Sequence, residues 1–302
     1  MTGTVLILGA SGKIGQHAAT AFSNAGWTVR KFNRKTDNMS KSAMGADVIV
    51  NGLNPPNYHN WAEIIPAITK QVIAAAKVSG ATVIIPGNVY NFGDQPGEWS
   101  ENTPQNPVSR KGQIRKDMEQ AYRDAGVRTV ILRAGNFIDP DRDDDVMKMI
   151  FLRGIRKGKI GQPGDPDALQ AFAYLPDWAR AAVELAEIPD KLDTFEDVPF
   201  PGHAFSINEL KSTLETHLGR KLKLAAFPWW AMTMTAPFWE LARELLEMRY
   251  LWNTSHSLSG NKFSRLLPDF RPTDLHTVVT SDLGDDVHPN QSVARRGDTV
   301  VL

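Results

Sequence analysis

The chain contains no cysteine, and its 34 lysines and arginines are balanced by 34 aspartates and glutamates among 302 residues. The absence of thiols excludes a disulfide framework and a zinc–thiolate site, and it fits the reducing cytoplasm, which is the expected location. A net charge of zero provides no basic face for the neutralisation of phosphates. We therefore expect no nucleic acid among the partners.

Long apolar runs are absent as well. Residues 1–10 have no basic segment ahead of their short apolar run, so no export signal is expected. The longest uncharged stretch, residues 224–239, contains Pro228 and Pro237 and is shorter than the ~20 residues of a membrane-spanning helix. No membrane is expected as a partner, and the length suits one or two globular domains.

In the first half of the chain, short apolar runs alternate with segments of helical period. Strands are predicted over residues 4–8, 27–32, 47–50, 82–86 and 128–132, and helices over 13–25, 61–79 and 109–125. Such alternation predicts parallel pairing through right-handed crossovers. The expected fold class is therefore α/β, a Rossmann-type doubly wound parallel sheet over residues 1–138 that later segments complete.

The second half has a different pattern, which predicts a smaller, mostly helical substrate-binding part over residues 139–282 and a loose tail over 283–302. Helices are expected over 146–153 and 176–187, and Ser206 with Glu209 forms a capping box for a helix that ends at Gly219. Seven aromatic residues between 227 and 252 are expected to form a buried core or a contact between copies. A homodimer is thus a further candidate partner.

A glycine-rich turn separates the first predicted strand from the first predicted helix. Its sequence, Gly-Ala-Ser-Gly-Lys-Ile-Gly over residues 9–15, directs free N–H groups and a helix N-terminus at a pyrophosphate. The expected cofactor contacts there are Gly9, Ser11, Gly12, Lys13, Ile14 and Gly15. The same spacing at residues 158–164 follows no predicted strand and precedes Asp165-Pro166, so it is interpreted as a loop.

The second predicted strand bears on the choice of cofactor. NAD-binding proteins usually carry an acidic residue there for the ribose hydroxyls, but residues 29–35 contain none and include Arg34. A guanidinium can hold a 2′-phosphate in a bidentate contact, with Lys35 or Lys13 assisting. We therefore expect NADP, with NAD as the alternative.

Three further motifs occur at residues 86–93 (Pro-Gly-Asn-Val-Tyr-Asn-Phe-Gly), 132–137 (Leu-Arg-Ala-Gly-Asn-Phe) and 174–180 (Tyr-Leu-Pro-Asp-Trp-Ala-Arg). With the glycine-rich turn, they resemble the NAD(P)-dependent epimerase/dehydratase family, in the extended and atypical branches of the short-chain dehydrogenase/reductase superfamily. The resemblance covers about residues 4–267. It implies a dinucleotide in the first half and a small substrate, often a nucleotide sugar, in the second. Gly52, Leu53, Gly87 and Asn136 are counted with the expected cofactor contacts.

The chain departs from this family at the residues that transfer protons. Members of the family use a Tyr-x-x-x-Lys pair, but none of the five tyrosines here has a lysine four residues later. Alignment on the following glutamate places Lys111 in the tyrosine position and Arg115 in the lysine position. Asn88 occupies a position where Ser or Thr is common, and an amide can orient a carbonyl without accepting a proton. These three residues are the catalytic candidates.

Two roles are open for Lys111. It could carry the proton, or Lys111 and Arg115 could only hold ribose and phosphate oxygens. The function that the resemblance implies is an oxidoreductase or epimerase acting on a hydroxyl/carbonyl pair of a small, sugar-like substrate. The alternative is an NADP-binding sensor or regulatory protein without turnover.

Two further segments carry weaker predictions. Residues 35–46 are short compared with relatives of this type, so the sheet could lack a strand. The seven histidines show no metal-ligand spacing, and the acidic run that contains Asp139, Asp141, Asp143, Asp144 and Asp145 is interpreted as a solvated face or a helix N-terminus. No metal is expected.

Overall fold

The computed structural model describes residues 2–283. The predicted tail, apart from Leu283, therefore lies outside the described residues. In chain order the strands are β1 (Thr4–Leu8), β2 (Thr28–Lys31), β3 (Val48–Asn51), β4 (Thr82–Gly87), β5 (Gly97–Trp99), β6 (Thr129–Arg133), β7 (Asn136–Ile138), β8 (Lys159–Gln162), β9 (Gln170–Tyr174), β10 (Phe195–Pro199), β11 (His203–Phe205), β12 (Lys223–Ala226) and β13 (His256–Leu258).

The α-helices are α1 (Lys13–Asn24), α2 (Met39–Ala43), α3 (Trp61–Ser79), α4 (Arg110–Ala125), α5 (Leu175–Ala186), α6 (Ile207–Leu218), α7 (Trp229–Thr235), α8 (Glu240–Glu247), α9 (Asn261–Leu266) and α10 (Leu275–Thr280). The helix expected over residues 146–153 is a π-helical turn, Met147–Phe151. Within residues 2–283 no helix is both long and apolar enough to cross a bilayer.

The central sheet has six parallel strands in the order β10, β6, β4, β3, β1, β2. This arrangement confirms the predicted doubly wound sheet. Five strands are those expected from the first half, and β10 from the second half completes the sheet beside β6. The link over residues 35–46 holds only the short helix α2, and no described strand lies beyond β2.

The order of the strands reverses at β1, because β2 lies on one side of it and β3 on the other. In such sheets the connections leave the carboxyl ends of the strands in opposite directions and open a crevice where ligands bind. The glycine-rich turn follows β1 directly and therefore lies in this crevice.

Both faces of the sheet are buried, as expected of a parallel sheet. On one face, Val5 and Ile7 pack with α1 and α5 around Trp178, whose indole N–H donates to Leu132 O at 3.0 Å. On the other face, Leu6 and Leu8 pack with α3 and α4. Helix α5 and strand β10 thus pack on the central sheet, although the predicted division assigns them to residues 139–282, and that division stays a prediction.

Helices predominate in the second half, but short strands also occur there. The prediction of a loop over residues 158–164 is wrong for Lys159–Gln162, which form β8 and pair with β12. The partner strand lies about 60 residues away and leaves no local signal. The same strand approaches the π-helical turn, where a Cβ on Gly161 would lie 2.1 Å from Ile150 O.

The aromatic residues between 227 and 252 divide into two groups. Trp229 is buried, and its indole N–H donates to Pro163 O at 2.6 Å. Trp230, Phe238 and Trp239 are exposed, with 95% of Phe238 accessible. A buried core therefore accounts for only part of this cluster, and a contact between copies stays a prediction.

Candidate functional site

The glycine-rich turn has the backbone that a pyrophosphate cradle requires. Gly9 leaves β1 with a φ of +77°, a conformation that other residues rarely adopt. The N–H of Gly12 donates to Gly9 O at 2.9 Å and closes the turn. A Cβ on Gly15 would lie 2.2 Å from Gly9 O, so only glycine lets α1 pack this closely on the strand. The backbone conformation at Gly9 and the close packing at Gly15 thus both require glycine.

The N-terminus of α1 is available to an anion. Gly12 is its N-cap residue, and no side chain among the described residues caps it. The first N–H groups of a helix have no intrahelical acceptor and carry the positive end of the helix dipole. Ser11 is exposed at the turn, whereas Ile14 and Gly15 are buried. The arrangement can accept a phosphate through backbone N–H groups.

The connection after β3 forms the other side of the cradle. A Cβ on Gly9 would lie 2.9 Å from Gly52 O, and a Cβ on Gly52 would lie 3.2 Å from Gly15 N. The next residue, Leu53, is half-buried, and its N–H donates to Asn51 Oδ1 at 3.2 Å. Gly52 and Leu53 are therefore brought to the glycine-rich turn, and their contact with a cofactor stays a prediction.

Arg34 follows β2 on the surface, and no described residue pairs with it. The nearest acid in sequence, Asp37, contacts its own loop, because its Oδ2 accepts from Asn33 N at 2.9 Å. This hydrogen bond and one from Thr36 lower the pKa of the Asp37 carboxyl. Lys13 is held by Asp144, with Nζ 2.9 Å from the carbonyl and 3.2 Å from the carboxylate. Lys13 is thus engaged elsewhere, and assistance of Arg34 by Lys35 stays a prediction.

Lys111 is fully buried at the start of α4, and its ammonium faces α8. Nζ contacts the carboxylates of Glu244 and Glu247 and donates to Glu244 O at 3.2 Å. These three oxygens match the number of donors on an ammonium. Burial opposes the charge of Glu247, but the hydrogen bonds from Lys111 and Arg110 together with the charge of Lys111 outweigh it and hold the pKa of this carboxyl below its usual value. The geometry therefore gives Lys111 a structural ion pair.

Arg115 lies one helical turn further along α4 and faces the connection after β3. Its Nη2 donates to Asn54 Oδ1 at 2.9 Å, and its guanidinium stacks on Trp61 with 4.7 Å to the ring centroid. Its buried Nε meets no hydrogen-bond acceptor among the described residues. Arg115 thus has one donor without an acceptor among these residues, whereas the donors of Lys111 are occupied, and a role of Arg115 with a ligand stays a prediction.

A tyrosine pair that sequence spacing did not reveal lies next to Lys111. The hydroxyls of Tyr58 and Tyr90 are 3.1 Å apart, and the Lys111 ammonium lies 5.1 Å from the centroid of the Tyr58 ring. Burial raises the pKa of both phenols, that of Tyr90 well above its usual value. Both phenols therefore stay protonated at neutral pH, so they can donate a hydrogen bond but do not act as ready bases.

The remaining predicted residues lie at the carboxyl ends of β4 and β6. Asn88 is half-buried, and its Oδ1 accepts from Tyr90 N at 3.0 Å, so its side chain shapes its own turn. A Cβ on Gly87 would lie 2.5 Å from Ile131 Cγ2, which explains this glycine by strand packing. Asn136 begins β7 and is half-buried. Their roles with a cofactor stay predictions.

Sequence reasoning also missed a buried ion network behind the site. Every N–H of the Arg133 guanidinium has an acceptor: Glu119 at 3.0 and 2.7 Å, Asp197 at 3.0 and 2.6 Å, and Asn88 O at 2.6 Å. Burial opposes the charge, but the Asp197 and Glu119 carboxylates outweigh it and hold the pKa of Arg133 above its usual value. The network joins β6, α4 and β10.

Comparisons with solved structures agree with this architecture. MoeE5 in complex with UDP-glucose and NAD superimposes with a TM-score of 0.72 at 18% identity, over 93% of this chain and 97% of that one. UDP-glucuronic acid 4-epimerase from Bacillus cereus gives a TM-score of 0.72 at 18% identity, over 92% and 97%. A monomeric L-threonine 3-dehydrogenase from a metagenome gives 0.68 at 14% identity, over 92% and 97%.

These likenesses establish a common fold over nearly the whole chain. No curated protein matches the sequence. The model of the NAD dependent epimerase/dehydratase family matches residues 5–199, and this match confirms the resemblance inferred from the motifs. Because the matched residues make up well over half of the chain, the protein belongs to the NAD dependent epimerase/dehydratase family.

Proposed function

We propose that the chain binds a nicotinamide dinucleotide at the glycine-rich turn and acts as an oxidoreductase or epimerase on a hydroxyl/carbonyl pair. The observation that carries this proposal is the uncapped N-terminus of α1 beside Gly9 and Gly52 at the reversal of strand order. A bound nicotinamide would supply hydride transfer, while the chain binds and orients the reactants. NADP is the proposed form, because Arg34 is free to meet a 2′-phosphate.

A nucleotide sugar is the proposed substrate class. A cavity of about 590 Å³ lies where β8, β12 and the segment after α8 meet. Its wall includes the aromatic rings of Phe227, Trp229 and Trp230 together with Arg249. Aromatic faces suit stacking on a nucleoside base, and an arginine suits a diphosphate. Of the three similar structures named above, two hold UDP-sugars, although the third, a threonine dehydrogenase, shares the fold.

The second candidate function is a dinucleotide sensor without turnover. It is favoured by the occupied donors of Lys111 and by the raised pKa of the two phenols, which leave no obvious base where the family has its tyrosine. In this case the chain would bind the dinucleotide with similar affinity and consume none of it. A cytoplasmic location and a homodimer belong to both proposals.

The first experiment measures the binding of NADPH and NADH to the full chain by fluorescence titration. Gly12→Val should abolish binding of both, because the added side chain occupies the space where a pyrophosphate approaches. Gly260→Ala is a suitable control, since Gly260 is also an N-cap residue with an ordinary φ, and its Cβ would make only ordinary van der Waals contacts with Pro201 at 3.4 Å and with Ser264 at 4.0 Å. Unchanged affinity in Gly12→Val would refute the proposed cradle.

The second experiment distinguishes the two functions. The full chain is assayed with NADP⁺ and with NADPH across a panel of nucleotide sugars and simple carbonyl compounds, and both the cofactor absorbance and the products are measured. An epimerase returns the hydride to its substrate and consumes no cofactor, so it is detected by product formation alone. Turnover with any member of the panel supports the oxidoreductase or epimerase. Tight NADPH binding with neither cofactor turnover nor product formation across the whole panel supports the sensor.

A further inference from the structure

One histidine and two aspartates meet beside the glycine-rich turn, although about 120 residues separate them in sequence. His17 lies on α1, one turn after Lys13, and Asp139 and Asp141 begin the acidic segment after β7. The imidazole Nε2 is 2.9 Å from Asp139 Oδ1 and 3.6 Å from Asp141 Oδ2. One ligand atom from each residue lies within 4.8 Å of the others. Spacing along the chain gave no indication of this cluster.

The carboxylate of Asp139 is buried with part of its bonding capacity unused. Asp139 is fully buried and His17 is 8% exposed. Oδ1 contacts His17 and accepts from Asp141 N at 3.0 Å, whereas Oδ2 has no hydrogen-bond partner among the described residues. The nearby Lys148 ammonium donates to the carbonyl oxygen of Asp139 instead. A buried carboxylate oxygen without a donor or a cation is costly, which points to a missing partner.

We propose that His17, Asp139 and Asp141 bind a divalent cation of the first transition row. A cation about 2.1 Å from each ligand atom places those atoms roughly 3 to 4 Å apart, and the two measured separations from Nε2 fall in or next to this range. One imidazole with two carboxylates suits Zn²⁺ or Mn²⁺ better than Mg²⁺, which prefers oxygen ligands alone. The exposed side chain of Asp141 leaves one side of the site open to water or to a ligand.

The site would connect the acidic segment to the cradle. Asp144 of this segment holds Lys13, and Arg142 Nη1 reaches Ser11 O at 3.5 Å. A cation bound to α1 through His17 and to the segment through both aspartates would fix these two parts together. Because the cation binds only the folded chain, it should also raise the unfolding temperature with its concentration.

The test uses the full chain after removal of metals with a chelator. Zn²⁺ and Mn²⁺ are titrated separately by calorimetry, with Mg²⁺ as the comparison ion. We expect one equivalent of Zn²⁺ or Mn²⁺ to bind, with weaker binding of Mg²⁺. Asp141→Asn removes a largely exposed ligand and should leave the fold intact. It should weaken binding by at least ~10-fold, the lower end of losses seen even for residues that only support metal ligands.

Asp143→Asn is the matched control, because this carboxylate lies in the same segment, is 99% exposed and is outside the cluster. It should leave the affinity unchanged. His17→Gln, checked for folding by circular dichroism, should weaken binding as Asp141→Asn does. Absence of saturable Zn²⁺ or Mn²⁺ binding in the unmodified chain would overturn the proposal, because His17 and Asp139 would then form only an ion pair. Equal weakening by Asp141→Asn and Asp143→Asn would overturn it too, since it indicates diffuse attraction.

Discussion

The ammonium of Lys111 lies between two glutamates of α8, and these contacts decide what the side chain can do. An ammonium that donates to Glu244 and Glu247 has no donor left for a cofactor. The proton-carrier and ligand roles remain predictions, but both would require these contacts to open. At neighbouring Arg115, the buried Nε has no acceptor among the described residues, and contact of this side chain with a ligand stays a prediction.

We expect Lys111→Met to lower the free energy of unfolding by about 3 kcal/mol, because it leaves two partly or fully buried carboxylates without their cation. Urea unfolding followed by circular dichroism measures this change. Adding Glu247→Gln to the variant should recover part of the loss. Unchanged stability together with a kcat reduced by ~10²- to 10⁴-fold would instead identify Lys111 as the proton carrier.

Arg34 tests the choice of cofactor. Arg34→Ala should weaken NADPH binding by about 1 to 3 kcal/mol and leave NADH nearly unchanged, because only NADPH carries the 2′-phosphate. Arg30→Ala is the control, since the Arg30 guanidinium is engaged with Met44 O at 2.7 Å. Both affinities come from fluorescence titration. Equal losses for the two cofactors would argue against a 2′-phosphate contact.

His256 provides a test of pH dependence. It is buried against Trp99, and burial lowers the pKa of its imidazole to about 4. The unfolded chain, with a pKa of about 6.5, binds more protons between these values, so the stabilisation is complete above about pH 6.5 and is lost towards pH 4. The contribution of His256 should lower the free energy of unfolding by about 3 kcal/mol between about pH 6.5 and about pH 4.

Carboxylates also titrate in this range, so the comparison is with His256→Phe, which keeps an aromatic ring beside Trp99 without a titrating group. The free energy of unfolding should fall less between about pH 7 and about pH 4 in this variant than in the unmodified chain. Parallel pH profiles for the two proteins would show that His256 does not contribute.

At the scale of elements, Arg133 joins strand β6 to its neighbours through Glu119 on α4 and Asp197 on β10. The motif at residues 132–137 contains Asn136, a predicted cofactor contact. Its Arg133 instead holds the sheet together through its ion pairs with Glu119 and Asp197. The same network fixes Asn88 through its carbonyl oxygen. The positions of the residues at the carboxyl ends of β4 and β6 thus depend on the contacts of one buried guanidinium, that of Arg133.

Arg133→Met should lower the free energy of unfolding by about 3 to 5 kcal/mol, because Glu119 and Asp197 would remain buried without a cation. Thermal and urea unfolding provide the measurement. Arg128→Met, at an exposed position just before the same strand, should change stability by less than about 0.5 kcal/mol. Similar effects of the two substitutions would mean that the network contributes little.

The elements of the first half follow from local pattern because their signals are local. Helix α3 was predicted with both boundaries correct, since helical period and the following Gly80 both lie within its own sequence. The capping box at Ser206 and Glu209 was also predicted and is present. Strand β8 was missed because its ladder depends on β12, a distant segment whose pairing the local sequence does not encode.

At the scale of the molecule, one reversal of strand order brings the functional candidates together. The turn after β1, the connection after β3 and the start of α4 meet at the carboxyl edge of the sheet. The second half then covers this edge with α8 and the acidic segment, which contribute Glu244, Glu247 and Asp144. The surroundings of the site are therefore built from both halves of the chain.

The sequence by itself determined the doubly wound sheet, the glycine-rich turn and the missing Tyr-x-x-x-Lys pair, because periodicity and glycine spacing act over a few residues. Only the tertiary structure decided the partners of individual side chains. Lys111 with Glu247, His17 with Asp139 and Tyr58 with Tyr90 are separated by 136, 122 and 32 residues. Which side chains meet depends on how helices pack on the sheet, and this packing sets the charge and burial around each group.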